Sequence, residues 1–109
     1  MKEQTIQKSI LDYLRLNGYF AFKINNGGVY VKSRDTYIKS PTPGISDIIA
    51  LKNGLMVCIE VKNKPNKPSK EQIEFIENVA AHGGIGFVAY SVSDVIFYLE
   101  TFKSNYKIG

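Results

Sequence analysis

The sequence predicts an α/β fold in which a mixed central β-sheet is flanked by helices. The Asn53-Gly54 pair between two apolar runs is the strongest short-range signal of a two-residue β-hairpin. A helical segment at 69–82 then leads to a buried apolar strand at 85–90. Such a β-α-β unit pairs its two strands in parallel. An antiparallel hairpin beside a parallel unit makes the sheet mixed.

Before the hairpin, apolar residues at helical spacing predict a helix over 3–16 that Asn17-Gly18 ends. A strand at 19–25, a turn at 26–28 and a short return strand at 29–31 follow. The polar, turn-prone stretch 32–44 predicts a loop, and at this length a loop is typically functional.

The hairpin strands are predicted at 47–51 and 55–61. Ser69 and Gln72 have capping-box spacing at the start of the next helix, and Gly83-Gly84 ends it. Ser91 or Ser93 caps a final helix over 94–102, and the polar tail after it is expected to fray. The predicted order is α-β-β-β-β-α-β-α.

Length and composition predict a single domain spanning 1–109. The net charge of +4 favours polyanionic partners, with nucleic acid the first expectation. The lone Cys58 excludes an internal disulfide, and its position in a predicted strand indicates a buried, inert thiol. We expect a cytoplasmic protein with no membrane span, because the sequence has neither a long apolar run nor a signal peptide.

The predicted hairpin also brings two acids together. A turn at Asn53-Gly54 sets Asp47 opposite Glu60, with Cβ atoms roughly 5 Å apart, and facing like charges destabilise a sheet. A divalent cation between them would reverse that penalty. Lys62 lies two residues beyond Glu60 and therefore shares its face. The three residues together indicate a metal-dependent phosphodiesterase site.

A cross-strand salt-bridge ladder on a solvated face is the structural alternative. The same face also carries apolar residues, so it is not a generally solvated surface: Ile49, Leu51, Met56 and Cys58. Mg²⁺ prefers carboxylate oxygens and water, and usually takes one or two protein carboxylates beside a phosphate. Lys62 could hold the attacking water or a phosphate oxygen.

The spacing Gly44-x-x-Asp47, then Glu60-Val61-Lys62, resembles the G-x-x-D … E-x-K signature of the PD-(D/E)XK nuclease superfamily. Within it the chain most resembles the VRR-NUC family and, more distantly, the archaeal Holliday junction resolvases. The likeness covers nearly the whole chain. Ser46 departs from the pattern, since the superfamily often has proline there.

The resemblance implies that Asp47, Glu60 and the backbone carbonyl of Val61 bind Mg²⁺, for which Mn²⁺ can substitute, with Lys62 catalytic. It also implies that Glu3 completes the site through a water and that Gln72 orients Lys62 or the scissile phosphate. Both have structural alternatives, because an acid is favoured in a first helical turn and Gln72 fits the capping box. His82 near a helix C-terminus is expected to be structural.

Basic residues crowd the segments on both sides of the hairpin, where phosphate contacts would give affinity without sequence reading. The predicted DNA contacts are Lys32, Arg34, Lys39, Lys64, Lys67 and Lys70. Tyr30 and Tyr37 could stack on unpaired bases or belong to local core.

The function expected from this resemblance is a DNA endonuclease that leaves 5′-phosphate and 3′-hydroxyl ends, in repair or recombination in a bacterial or phage-infected cell. So small a domain favours branched or four-way junction DNA over sequence-specific restriction. Paired cuts on a symmetric junction predict a homodimer, with Phe97, Tyr98 and Phe102 as interface candidates. The alternatives are a nicking or restriction-type nuclease working with a separate helicase or recognition subunit, and a non-catalytic nucleic-acid-binding module.

Overall fold

The computed structural model describes residues 1–24, 29–38 and 42–106, which form three helices, a four-stranded sheet and a small ribbon. The helices are α1 (Glu3–Leu16), α2 (Lys70–Ala81) and α3 (Val92–Tyr106). The strands are β1 (Phe20–Lys23), β2 (Val29–Val31), β3 (Thr36–Ile38), β4 (Ile48–Lys52), β5 (Leu55–Val61) and β6 (Ile85–Ala89).

The main sheet has the strand order β1-β4-β5-β6 and is mixed, as the sequence predicts. Strand β4 pairs antiparallel with β1 and with β5. Strands β5 and β6 are parallel and are connected through α2, which confirms the β-α-β unit.

The β4–β5 hairpin has the predicted turn and register. Asn53 and Gly54 both adopt positive φ, at 53° and 81°, as a two-residue hairpin turn of this kind requires. The paired residues run from Lys52 with Leu55 to Ile48 with Ile59. No bulge shifts the register before the site, and Asp47 lies one residue beyond the last pair.

Helices cover both faces of the sheet. Ile48 and Ile59 face the main core, which α1 supplies with Ile10 and α3 with Val95 and Leu99. Helix α2 covers the opposite face, where Gly86 is paired with Cys58 and lies directly beneath Ile76. A side chain on Gly86 would overlap the α2 backbone, so its absence sets how closely α2 approaches the sheet.

The segment 32–44 differs from the predicted loop. It contains a 3₁₀ turn at Lys32–Arg34 and the strand β3. The short return strand predicted at 29–31 is present as β2, but it pairs with β3 rather than with β1. The predicted turn at 26–28 lies outside the described residues.

Helices α1 and α2 begin and end where local sequence signals predict, whereas α3 is longer than predicted. Helix α1 has the predicted bounds, and Gly18 after it has a φ of 84°. Helix α2 begins with the predicted capping box at Ser69. Helix α3 starts two residues earlier than predicted and extends to Tyr106, with the Ser91 hydroxyl accepting from the Asp94 amide. Phe102, one of the three interface candidates, is half-buried against the core, which leaves Phe97 and Tyr98 as the exposed members of that set.

Two further expectations concern single groups and the membrane. The Cys58 thiol is buried, as predicted, and burial raises its pKa to about 11, which disfavours the reactive thiolate. The His82 ring contacts the Asn78 carbonyl at the end of α2, which is a structural position. None of the described helices has the length and apolar character needed to cross a membrane.

Candidate functional site

One edge of the sheet collects the predicted site residues. Strand β1 ends there, β4 begins there, and the parallel strands β5 and β6 both end there. Helix α1 also begins at this edge, since the Asn63 side-chain amide after β5 donates to the Met1 carbonyl. Helix α2 begins there too, because its first turn contacts β5 through Gln72 and Glu60. The candidate site residues on α1, before β4, at the end of β5 and on α2 therefore share one edge of the sheet.

Asp47 is fixed by backbone contacts on both sides. Its carbonyl accepts from the Ile24 amide at 2.7 Å, and its carboxylate Oδ2 accepts from the Val61 amide at 2.9 Å. The carboxylate thus lies at the end of β5, beside Glu60. The hairpin brings the two acids together as the sequence predicts, whereas the Val61 carbonyl remains a predicted ligand.

Glu60 is only 1% exposed, which rules out a salt-bridge ladder on a solvated face. Burial, as the largest cause, and the neighbouring Asp47 carboxylate raise the pKa of Glu60 from 4.5 to about 8. A hydrogen bond to Asp47, which can form only when Glu60 carries a proton, and the charge of Glu3 act in the same direction, while the Lys62 ammonium opposes them. The strand therefore buries an acid in an environment that disfavours its charge.

The two Glu60 oxygens have different surroundings. Oε1 accepts from the Gln72 side-chain amide at 2.8 Å and lies 4.0 Å from the Lys62 Nζ. Oε2 is buried and has no hydrogen-bond partner among the described residues. A buried carboxylate oxygen without a donor is unfavourable unless another group binds it. Oε2 is also inaccessible to bulk water, which could otherwise donate a hydrogen bond to it.

Gln72 has the predicted capping role and also contacts the candidate site, through Glu60. Its side-chain oxygen accepts from the Ser69 amide at 2.8 Å, which completes the capping box. Because the oxygen is occupied in this way, the amide nitrogen is the end that points at Glu60. The cap therefore orients the side chain that holds Glu60, and the contact is to Glu60 rather than to Lys62.

The donor set fits a hard divalent cation. Asp47 and Glu60 supply two carboxylates, and the unpartnered Oε2 is a buried oxygen available to a cation. No group of three His, Cys, Asp or Glu side chains with metal-binding geometry occurs within residues 1–24, 29–38 and 42–106. Glu3 lies in the first turn of α1, which begins at the same edge of the sheet, and its contact to a cation through water remains a prediction. Two carboxylates plus water are a usual protein contribution to a Mg²⁺ site.

Gly44, the first residue of the G-x-x-D spacing, has a packing reason to be glycine. Its φ is 75°, and a Cβ built on it would overlap the Glu71 carbonyl in the first turn of α2. The segment that carries Asp47 can approach the start of α2 only without a side chain at this position. Gly44 thus allows Asp47 and Gln72 to meet around Glu60.

The predicted DNA-contacting residues lie in two exposed segments. Lys32 and Arg34 are on the 3₁₀ turn of the ribbon, and Lys64, Lys67 and Lys70 surround the start of α2. Lys39 lies outside the described residues. Tyr30 and Tyr37 are paired partners in the ribbon backbone. Phosphate contact by these residues remains a prediction.

Two buried polar side chains near this edge were not predicted from the sequence. Gln7 on α1 and Ser46 before Asp47 each have a buried oxygen without a hydrogen-bond partner in the part of the chain that the structure describes. The available signal for Gln7 was its position four residues after Glu3, which places both on one helix face.

Solved structures share this architecture. A VRR_NUC domain is 23% identical over 90% of this chain and 94% of its own, with a TM-score of 0.64. A VRR_NUC domain protein is 18% identical over 100% of this chain and 91% of its own, with a TM-score of 0.66. Hjc, a Holliday junction resolvase from the archaeal hyperthermophile Archaeoglobus fulgidus, is 24% identical, covering 81% of this chain and 67% of its own, with a TM-score of 0.57.

No family model and no curated protein matches the sequence. The likeness to solved structures, at identities below one quarter, concerns the fold. The strand order and the flanking helices of this chain agree with the fold expected from the sequence signature Gly44-x-x-Asp47 … Glu60-Val61-Lys62. The chain has the PD-(D/E)XK fold, the fold of the VRR_NUC domain structures and of Hjc.

Proposed function

We propose that the protein is a Mg²⁺- or Mn²⁺-dependent DNA endonuclease that hydrolyses phosphodiester bonds in branched or four-way junction DNA. The observation that carries this proposal is the buried Glu60 beside Asp47, with one carboxylate oxygen left without a partner. A purely structural carboxylate would be exposed or fully hydrogen-bonded. The fold shared with the VRR_NUC structures and with Hjc supports the same reading.

The chain's own residues have distinct tasks in this proposal. Asp47 and Glu60 hold the cation, and Gln72 fixes the Glu60 carboxylate through its amide. Lys62 is half-buried beside Glu60 and can hold the attacking water or a phosphate oxygen as a point charge. A cation held by Asp47 and Glu60 would supply Lewis acidity, which would lower the pKa of a bound water and offset charge on the phosphate.

DNA is the proposed substrate because the exposed basic residues suit the phosphate backbone. Branched DNA is proposed in particular because the chain shares its fold with Hjc, a Holliday junction resolvase. Lys64, Lys67 and Lys70 lie next to the site in sequence, and Lys32 and Arg34 are carried by the ribbon. Such contacts position DNA without reading its sequence. Two coordinated cuts on a symmetric junction make a homodimer the proposed assembly.

The test compares linear duplex, flap and four-way junction DNA, each with the purified protein in Mg²⁺ or Mn²⁺. We expect paired, symmetric cuts near the junction centre, and their loss in Asp47→Asn and in Lys62→Ala. Asp12→Asn is the matched control, because Asp12 is an exposed acid on α1 that forms an ion pair with Lys8.

Each of the other outcomes has a defined meaning. Cutting of flaps alone would overturn the junction preference and leave the nuclease proposal standing. Binding of junctions without metal-dependent cleavage would favour a nucleic-acid-binding module. Junction cleavage by Lys62→Ala at the parent rate would overturn the role given to Lys62.

A further inference from the structure

An open cleft beside the start of α1 contains two lysines that have no task in the site described above. The cleft has a volume of about 540 Å³, and we call it the α1 cleft; it is lined by Lys2, Glu3, Gln4, Gln7, Lys23 and Asn63. Lys2 and Lys23 are both exposed. Neither lysine forms an ion pair or a side-chain hydrogen bond with another described residue. Two cations without anionic partners at one cleft favour an anionic ligand.

Lys23 is held close to the candidate site by the pairing of β1 with β4. It is the last residue of β1 and lies opposite Ile48, which directly follows Asp47. The next residue, Ile24, donates its amide to the Asp47 carbonyl at 2.7 Å. Lys23 and Asp47 therefore lie on neighbouring chain segments with an offset of one residue. This placement follows from backbone contacts.

Lys2 is held at the same edge of the sheet through the segment that follows β5. It is the N-cap of α1, and its carbonyl accepts the first amide hydrogen bonds of the helix, at 3.1 Å. The preceding Met1 carbonyl accepts from the Asn63 side-chain amide at 3.4 Å. Asn63 directly follows Lys62. The two lysines of the α1 cleft are thus attached to the segments that carry Asp47 and Lys62.

The lining of the α1 cleft suits a phosphodiester group. Lys2 and Lys23 outweigh the single acid of the lining, Glu3, so its net charge is positive. A lysine ammonium binds phosphate as a point charge, and side-chain amides such as that of the exposed Gln4 are further donors to phosphate oxygens. Because the cleft borders the edge that holds the carboxylate pair, the phosphates nearest to it belong to the strand bound there for cleavage.

We propose that the α1 cleft binds a backbone phosphate of the cleaved strand, next to the scissile phosphate, through Lys2 and Lys23. This inference rests on the proposed function. The predicted contacts Lys67 and Lys70 are at the start of α2, which covers the opposite face of the sheet from α1. The strand is therefore held on both sides of the carboxylate pair, and the scissile phosphate is positioned between the two sets of contacts.

The test measures the binding of four-way junction DNA in a chelator over a range of salt concentrations. All proteins carry Asp47→Asn, which prevents cleavage under the proposed function. Each phosphate contact contributes about 0.9 to the slope of log K against log salt concentration for duplex DNA. Lys2→Gln and Lys23→Gln should each reduce this slope by about one, and their combination by about two. Lys2→Arg and Lys23→Arg retain the charge and should retain the slope.

Lys8→Gln is the matched control, because Lys8 is an exposed lysine on α1 that pairs with Asp12 and does not line the α1 cleft. It removes the same charge and should keep the slope of the background protein. The melting temperature should be unchanged in all of these variants, because the substituted lysines are exposed.

Junctions that carry one neutral methylphosphonate linkage identify the phosphate that the cleft binds. The linkage is moved across the phosphates that flank the cut, and one position should weaken binding by the background protein. At that position the linkage should have no effect on the combined lysine variant, because the contact is already absent there.

Equal salt slopes in the background protein and the combined variant would overturn the inference alone. An equal reduction by Lys8→Gln would also overturn it, because the effect would then be one of general charge. A methylphosphonate that weakens both proteins equally at every flanking position would exclude a contact next to the scissile phosphate. A background protein that binds no junction DNA, together with a parent that cleaves none, would overturn the proposed function as well.

Discussion

At the scale of single residues, the site is organised around the unfavourable environment of Glu60. The side chain is buried next to Asp47, and Lys62 at 4.0 Å only partly offsets the two carboxylates. In metal-free protein, proton binding relieves the repulsion, whereas a divalent cation relieves it with Glu60 ionised. The same buried oxygen therefore accounts for an instability of the free protein and for its suitability as a ligand.

The raised pKa of Glu60 predicts how stability depends on pH. The folded-state pKa is about 8 and the ordinary value is 4.5, so the native state binds more protons between these values. Glu60 then contributes full stability below pH 4.5, and that contribution is lost as the pH rises through 8. We expect the metal-free protein to lose on the order of 5 kcal/mol of unfolding free energy over this interval from this group.

Urea denaturation in a chelator, at several pH values, measures this loss. Glu60→Gln cannot ionise, so its stability should vary less with pH and should exceed that of the parent at the alkaline end. Glu77→Gln is the control, because Glu77 is an exposed acid on α2 and should follow the parent. The same pH slope in Glu60→Gln and the parent would show that Glu60 does not titrate in this way.

At the scale of elements, the start of α2 links the helix to the site. The capping box at Ser69 directs the Gln72 amide to Glu60, and the Glu71 carbonyl contacts the position where a Gly44 side chain would stand. The end of the helix that carries Gln72 is therefore held by its own cap and by the segment leading to Asp47. A displacement of this turn would move Gln72 relative to Glu60.

Substitutions at two glycines with positive φ can distinguish the close packing of Gly44 against α2 from backbone strain. Gly54 has a φ of 81° and open space around a built Cβ, whereas Gly44 has a φ of 75° and faces the Glu71 carbonyl. Gly54→Ala should destabilise the protein by about 1 kcal/mol through the backbone alone and leave cleavage unchanged. Gly44→Ala should be more destabilising, because the first turn of α2 must also move, and cleavage should fall.

Urea midpoints and single-turnover cleavage rates of the two variants provide the comparison. Gly54 lies at the turn, at the far end of the hairpin from Glu60, so it controls for backbone strain without a change at the site. Equal loss of stability and unchanged cleavage in both variants would show that the Gly44 approach does not position the site.

At the scale of the whole molecule, the predictable features were those specified by short segments. The hairpin register followed from Asn53-Gly54, and the α2 start followed from Ser69 and Gln72, because each signal lies within a few residues of the element it sets. The register in turn predicted that Asp47 and Glu60 would be neighbours. The element order then followed from the helical and strand periodicities between these points.

The features that were missed depend on contacts between distant segments. Strand β3 has three residues, too few for a period of 2 to appear in the sequence, and the pairing of the predicted strand β2 with β3 was therefore not foreseen. The approach of Gly44 to α2 and the buried oxygen of Gln7 follow from the packing of helices on the sheet. Phe102 was expected to contribute to a dimer interface, whereas it packs from α3 against the core of its own chain.

The uncovered aromatic surface of α3 gives the prediction for the assembled protein. Phe97 is 64% exposed and contacts Tyr98 edge-on, at 5.6 Å between ring centroids. An exposed aromatic pair of this kind suits an interface between copies, and a homodimer would provide two sites for two cuts. We expect sedimentation equilibrium to show a dimer that Phe97→Glu dissociates, because a buried unpaired carboxylate opposes association. Phe20→Glu is the matched control, because Phe20 is 69% exposed on the edge strand β1, and this variant should remain dimeric. A monomeric parent would exclude the dimer, and dissociation by Phe20→Glu alone would move the interface from α3 to the β1 edge.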